Sequence, residues 1–194
     1  MSKRCYRFFG GLLRTQTNWL NKMASEGFRL VRTGKLLYEF ESCEPNKYEY
    51  CLEFIGEKSQ QGAEEYKKFL EDIGYHVFYK NINLNYSIGK VRVRPWAEKG
   101  GRIATNSTTF NKELLIIEKV KDGKPFELHT TNEDRAQYIK QLRNPWLSFG
   151  LIFLVCGFLM KSIILAILAV ASLIPVILYQ VEISKLEKDA ITRE

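Results

Sequence analysis

Residues 146–179 read WLSFGLIFLVCGFLMKSIILAILAVASLIPVILY. The run is apolar except at Lys161, which stands beside Ser162 near its middle. As a single helix it would rise about 50 Å, well past a hydrocarbon core of roughly 30 Å. A lysine costs about 3 kcal/mol at a bilayer centre on insertion scales and almost nothing at the interface. The stretch therefore predicts a transmembrane helical hairpin over 145–180. One limb (146–160) goes out, Lys161-Ser162 turns at the far surface, and a second limb (163–179) returns. Pro145 suits the first turn of the outgoing helix. Trp146 and Tyr179 suit one membrane interface as aromatic belt residues, and Lys161 the other. The competing reading is a helical hairpin inside a soluble core, which is disfavoured because soluble helices seldom run this far without a polar face.

Flanking charges give an orientation. Arg135, Lys140 and Arg143 precede the hairpin, Lys185, Lys188 and Arg193 follow it, and only Lys161 lies in the turn. The positive-inside rule then places both ends, including a charged tail over 181–194, in the cytoplasm. The opening residues MSKRCYRFFGG lack the apolar core of a secretory signal, so the upstream domain is expected to stay inside. Cys5, Cys43, Cys51 and Cys156 form no C-x-x-C pair and read as free thiols. A net charge of +7 and a pI near 9.2 imply anionic surroundings, which a cytoplasmic leaflet supplies.

Residues 1–143 read as a cytoplasmic α+β domain. Alternation over 4–9 predicts a strand, and apolar spacing over 13–26 a helix ended by Gly27, with Thr15 or Thr17 as its cap. Two further strands, 28–43 and 48–55, are expected to pair as a hairpin through Pro45-Asn46-Lys47. That register sets Phe40 against Leu52 and Tyr38 against Phe54. It also gathers Glu39, Glu41, Glu49 and Glu53 on one face, which calls for a basic neighbour such as Arg7. A second helix covers 59–73, Gly74 closes it, and a strand follows at 75–79. The two helix exits, MASEGFRLV and LEDIGYHVF, share one pattern and suggest a weak internal repeat. The order βαββαβ predicts a ferredoxin-like antiparallel sheet with extra strands. Those extras are a strand over the alternation Val91-Arg92-Val93-Arg94, whose outer face carries the arginines, another central strand at 114–120, and a short extended piece at 126–129. A helix over 132–143, capped by Thr131 and Asp134, leads to the hairpin.

The segments WLNKMASEGFRL, YEFESCEPNKYEYCLEF, EEYKKFLEDIGY and PFELHTTNEDRAQYIKQL together resemble the bacterial family known as domain of unknown function 2812 (DUF2812). The resemblance spans about 4–143, with a membrane hairpin as the usual C-terminal neighbour, and it leaves 83–112 as an insertion. It implies no established activity and transfers no catalytic residue. Its members are often encoded beside PadR-type transcription regulators, which implies a regulatory partner at a bacterial cell membrane.

Few residues suggest chemistry. His76 and His129 have no metal-ligand companions at suitable spacing, no nucleotide or nucleophile motif occurs, and no cofactor, metal or catalytic residue is expected. The glutamate face could serve acid–base or metal chemistry but reads first as a solvated or arginine-paired sheet face. The basic stretch Lys90, Arg92, Arg94, Trp96, Lys99 and Arg102 is the candidate contact for anionic lipid headgroups. Nucleic acid is a weaker partner, since most aromatics fall on the core-facing phase. These features lead to a non-enzymatic membrane sensor or adaptor. The alternatives are an oligomeric transport or channel subunit, packed through Gly157, Ala166, Ala169, Ala171 and Ser172, and an enzyme using the glutamates.

Overall fold

The computed structural model describes residues 2–98, 102–104, 109–124, 126, 128 and 132–191. The chain divides into two compact units, Met1–Thr130 and Thr131–Glu194.

The first unit is built from two βαββ halves. In the first half come β1 (Ser2–Tyr6), α1 (Leu13–Ser25), β2 (Phe28–Thr33) and β3 (Leu37–Ser42), with sheet order β1-β3-β2. In the second come β4 (Tyr48–Phe54), α2 (Gln60–Asp72) and β5 (His76–Lys80). Three short strands follow, β6 (Tyr86–Ile88), β7 (Val91–Val93) and β8 (Ile103–Ala104), and then β9 (Leu114–Val120). The second half's sheet has order β4-β9-β5, the same plan as the first, and β6-β7-β8 form a separate antiparallel meander. All pairings in the two main sheets are antiparallel. Where the first half turns tightly from β2 to β3 at 34–36, the second inserts the meander.

The halves also agree in spacing. Each helix has 13 residues, and Leu13, Ser25 and Gly27 occupy the places of Gln60, Asp72 and Gly74. Both glycines are left-handed, at φ 84° and 95°, and donate N–H to Ala24 and Glu71 carbonyls at 3.1 and 3.0 Å. A β-carbon is disfavoured at such a helix exit, which explains why the MASEGFRLV pattern recurs. The α2 cap is Ser59, whose hydroxyl accepts from Gly62 N–H at 3.0 Å. Leu12, not Thr15 or Thr17, occupies the α1 cap position, with no side-chain bond.

The expected single ferredoxin-like sheet is not what these pairings form. Tyr38 pairs with Cys5 and Thr33, and Phe40 with Lys3 and Leu30, while Leu52 and Phe54 pair with Ile116 and Leu114. The reason lies in 43–47. Cys43 N–H bonds Gly27 O at 2.9 Å, and Asn46, at φ 59°, donates its N–H to Ala24 O at 3.0 Å. This loop is tied to the end of α1 and carries the chain to a new sheet, so it cannot fold β3 onto β4. Arg4, Arg29 and Arg32, rather than Arg7, answer the Glu39 and Glu41 charges. Glu49 pairs with Lys119 at 2.9 Å, and Glu53 accepts from the Tyr66 hydroxyl at 2.6 Å. The four glutamates therefore divide between two sheets.

The first half buries Leu20, Leu30, Tyr38 and Phe40, with the Trp19 ring against Phe9, Tyr38 and Phe40. The second buries Ile55, Ala63, Leu70, Val77, Leu115 and Ile117 under α2, with Phe126 and Leu128 packed on them outside regular structure. Each large apolar side chain so buried contributes about 1.5–3 kcal/mol.

Polar bonds join the halves. Arg29 grips Glu118 through Nε and Nη2 at 3.0 and 2.9 Å. Tyr50 donates to Glu118 Oε2 at 2.7 Å and accepts Leu30 N–H at 2.8 Å. The Asn21 amide pairs with both N–H and C=O of Tyr50, at 2.8 and 3.0 Å, sealing that point of the β4 edge. Lys80 is buried and donates to the carbonyls of Gly34 and Lys35 at 2.5 and 2.7 Å. Burial brings its pKa down to about 8.

The second unit is a helical hairpin of α3 (Asn132–Leu159) and α4 (Ile163–Ile191). The turn falls at 160–162, where Lys161 takes φ 49° and Ser162 N–H bonds Gly157 O at 3.0 Å. Pro145 lies within one continuous helix and does not begin a new one, so the expected separate helix over 132–143 merges with the outgoing limb. The capping role expected of Thr131 lies outside the described residues. Gly157 is buried, and a β-carbon there would sit 3.2 Å from Ala166 N and 3.3 Å from Leu165 Cβ. The helices therefore approach closely at this point.

Candidate functional site

The most site-like part of the first unit is assembled by the inserted meander. Arg94 and Trp96, just past β7, fasten it down. The Arg94 guanidinium donates to Gly56 O at 3.0 Å, an oxygen that also accepts from the Thr109 hydroxyl at 2.9 Å. The Trp96 ring packs edge-on against Phe54, and its indole N–H donates to Asn85 Oδ1 at 2.9 Å. Gly56 lies between these rings, where a β-carbon would fall 2.5 Å from Phe54 and 2.7 Å from Trp96. Any side chain there would push the meander off its seat.

Beneath it lies Glu113, fully buried. Its carboxylate accepts from Ile82 N–H at 3.2 Å, and from Asn85 Nδ2 and Asn111 N–H. Burial outweighs these donors and lifts its pKa to about 7. Asn85 joins Glu113 to Trp96, so the buried acid and the meander's anchor belong to one polar network.

Beside this network opens a cavity of about 160 Å³ lined by Gln60, Ala63, Glu64, Tyr79, Arg92, Thr109, Phe110 and Lys112. Four elements supply it: the start of α2, strand β5, strand β7 and the segment before β9. Lys112 Nζ lies 3.4 Å from Glu64 and 4.6 Å from the Tyr79 ring centroid. The Arg92 guanidinium stands over the Phe110 ring at 5.5 Å. The Tyr79 hydroxyl is shut off from solvent without an acceptor at hydrogen-bonding geometry. Burial first, and then the neighbouring Glu64, push its pKa above the usual tyrosine range.

The basic stretch is split by this arrangement. Lys90 and Arg102 are exposed, and Arg92 is half-buried at the cavity. Arg94 and Trp96 are 2% and 3% exposed, so neither is available to a headgroup. Alternation in Val91-Arg92-Val93-Arg94 suggested an outward arginine row. The strand ends at Val93, and the chain turns inward to reach Gly56. Lys99 lies outside the described residues, as does His129. His76 is exposed, with its ring edge-on to Phe78. Sequence reasoning missed Glu113, Tyr79, Thr109 and Lys112, which come together only through folding.

In the hairpin, Lys161 is exposed at the turn and Trp146 is half-buried. Tyr179 is 5% exposed, a packed residue rather than a lipid-facing belt residue. It lies two helical turns beyond Ser172, whose Oγ meets the Gly150 position of α3. Large apolar side chains from Leu147 to Val181, Phe158, Leu159 and Ile163 among them, are exposed. Asp134–Leu159 and Ile163–Lys188 are each long and apolar enough to cross a membrane, with 17% of each apolar window buried. The apolar surface therefore faces outward, opposite to the pattern of a core helix.

No curated protein and no solved structure matches the chain. The family described as "Protein of unknown function (DUF2812)" matches residues 13–151, from the start of α1 into the apolar part of α3. That span covers more than half of the sequence, and the chain belongs to the DUF2812 family.

Proposed function

We propose that this chain is a membrane-anchored, non-enzymatic sensor or adaptor. The hairpin crosses a bacterial cell membrane twice, with both termini in the cytoplasm, and the βαββ pair engages a protein partner there. The observation that carries this reading is α3. One helix begins among polar residues at Asn132 and continues without a break into a lipid-like surface. Positive charge at Arg135, Lys140 and Arg143, and again at Lys185 and Lys188, supports the cytoplasmic orientation. The partner we favour is a PadR-type transcription regulator, on the family resemblance. Co-purification of the detergent-solubilised full chain with the regulator encoded beside it is the test. The adaptor reading expects a stable complex or altered operator binding, and fails if neither is seen.

One observation favours a second reading, an oligomeric transport or channel subunit. An apolar groove of about 520 Å³ runs along the hairpin past Gly150, Leu154, Gly157, Ala166, Ala169 and Val170. Gly150, Gly157, Ala166 and Ala169 already bring α3 and α4 together within one chain, and the groove along that seam, flanked by exposed Leu154 and Val170, offers an apolar seat for a helix of a neighbouring protomer. Liposome flux measurements separate the readings, since an adaptor carries no flux.

A further inference from the structure

We propose that the cavity between α2, β5 and β7 is a binding site for a phosphoryl group, held by Arg92 and Lys112. This inference goes beyond the adaptor reading and does not depend on it.

The charges set the sign. Two cations and one carboxylate, Glu64, line the cavity, which leaves a net positive wall. Lys112 is shared between Glu64 and the Tyr79 ring. The Arg92 guanidinium rests on Phe110 and has no carboxylate partner among the described residues. An arginine stacked on an aromatic ring keeps its edge N–H groups free, and that planar fork matches two phosphoryl oxygens. Lys112, which lines the same cavity, supplies a point charge to a third.

Neutral donors complete the set. The Tyr79 hydroxyl is shielded from water and remains protonated, and Glu64, the carboxylate beside it, stands outside hydrogen-bonding geometry. The Gln60 amide, at the first position of α2, also lines the cavity. The Thr109 hydroxyl is committed to Gly56 O and contributes only its wall. A polar site at the base of an inserted sheet, rimmed by a buried hydroxyl and by an arginine without a carboxylate partner among the described residues, is costly to maintain without a ligand. Its volume of about 160 Å³ holds several waters, or a phosphoryl group with a short stub of its ester.

Such a group could arrive as a soluble phosphate ester or as a lipid headgroup. The test uses the full chain in dodecyl maltoside, which carries no phosphate, with isothermal titration. One arm titrates inorganic phosphate and glycerol 3-phosphate, and the other adds phosphatidylglycerol to the micelles. Saturable binding is expected in at least one arm. Saturation by the soluble probes identifies a soluble ligand, and saturation by the lipid alone identifies a headgroup. Arg92→Gln and Lys112→Gln should each weaken binding by about tenfold, while Lys22→Gln, on α1 and outside the cavity, leaves it unchanged. Melting curves of both cavity variants check the fold, and either one that melts like the parent suffices for the comparison. The proposal is overturned if neither arm saturates, or if a folded cavity variant binds as the parent does.

Discussion

Glu113 shows at the scale of one residue what the inserted meander costs. Its carboxyl is sealed under Asn85 and Asn111, and burial raises its pKa from 4.5 to about 7. The folded state therefore holds a proton that the unfolded chain releases between those values. The corresponding stability is fully present below about pH 4.5 and is lost as pH rises through 7. Thermal melting of the full chain in detergent should show a fall in midpoint across that window. Glu113→Gln should flatten that part of the profile. An unchanged slope in Glu113→Gln would assign the pH dependence to another group. Nothing in Lys112-Glu113-Leu114 announces this role in sequence. The burial comes from residues some thirty positions away, Ile82 and Asn85, brought over by the β5–β9 pairing.

At the scale of elements, local signals served well and pairing signals did not. Both helices of the first unit begin and end within a residue or two of the apolar stripe and the glycine that follows it. The β9 strand is central, as its run of apolar residues suggested. Pro45-Asn46-Lys47 looks like a hairpin turn joining β3 to β4, while its bonds run back to the end of α1. Arg94 and Trp96 look outward-facing in sequence because alternation alone does not reveal where a strand stops. In the hairpin, the charge at Lys161 located the turn, because a membrane penalises a buried lysine more than any local propensity does. The close approach of α3 and α4 can be tested at Gly157. Leucine there would meet the backbone of Ala166 and the side chain of Leu165, neither of which can swing aside. Gly157→Leu should destabilise the hairpin by about 1–3 kcal/mol, read as a lower melting temperature in detergent. Leu154→Ala, on an exposed position, should change little. Equal effects from the two would mean the helices are not packed through glycine.

The molecule as a whole joins a repeated βαββ unit to a pair of long apolar helices in one chain. The repeat is half hidden in sequence. The helix exits match, but the meander separates β5 from β9, so the second half has no contiguous counterpart to the first. The membrane reading is the central claim, and topology tests it most directly. The native cysteines are replaced, and single cysteines are introduced as Lys161→Cys and Lys188→Cys in the full chain. Labelling with a membrane-impermeant maleimide on intact bacterial cells, with the outer barrier opened, then reports the exposed side. The account predicts that the Lys161→Cys chain labels from outside and the Lys188→Cys chain labels only after lysis. Protection of the first, labelling of both, or recovery of the chain in the soluble fraction would contradict a hairpin that crosses twice with its termini inside.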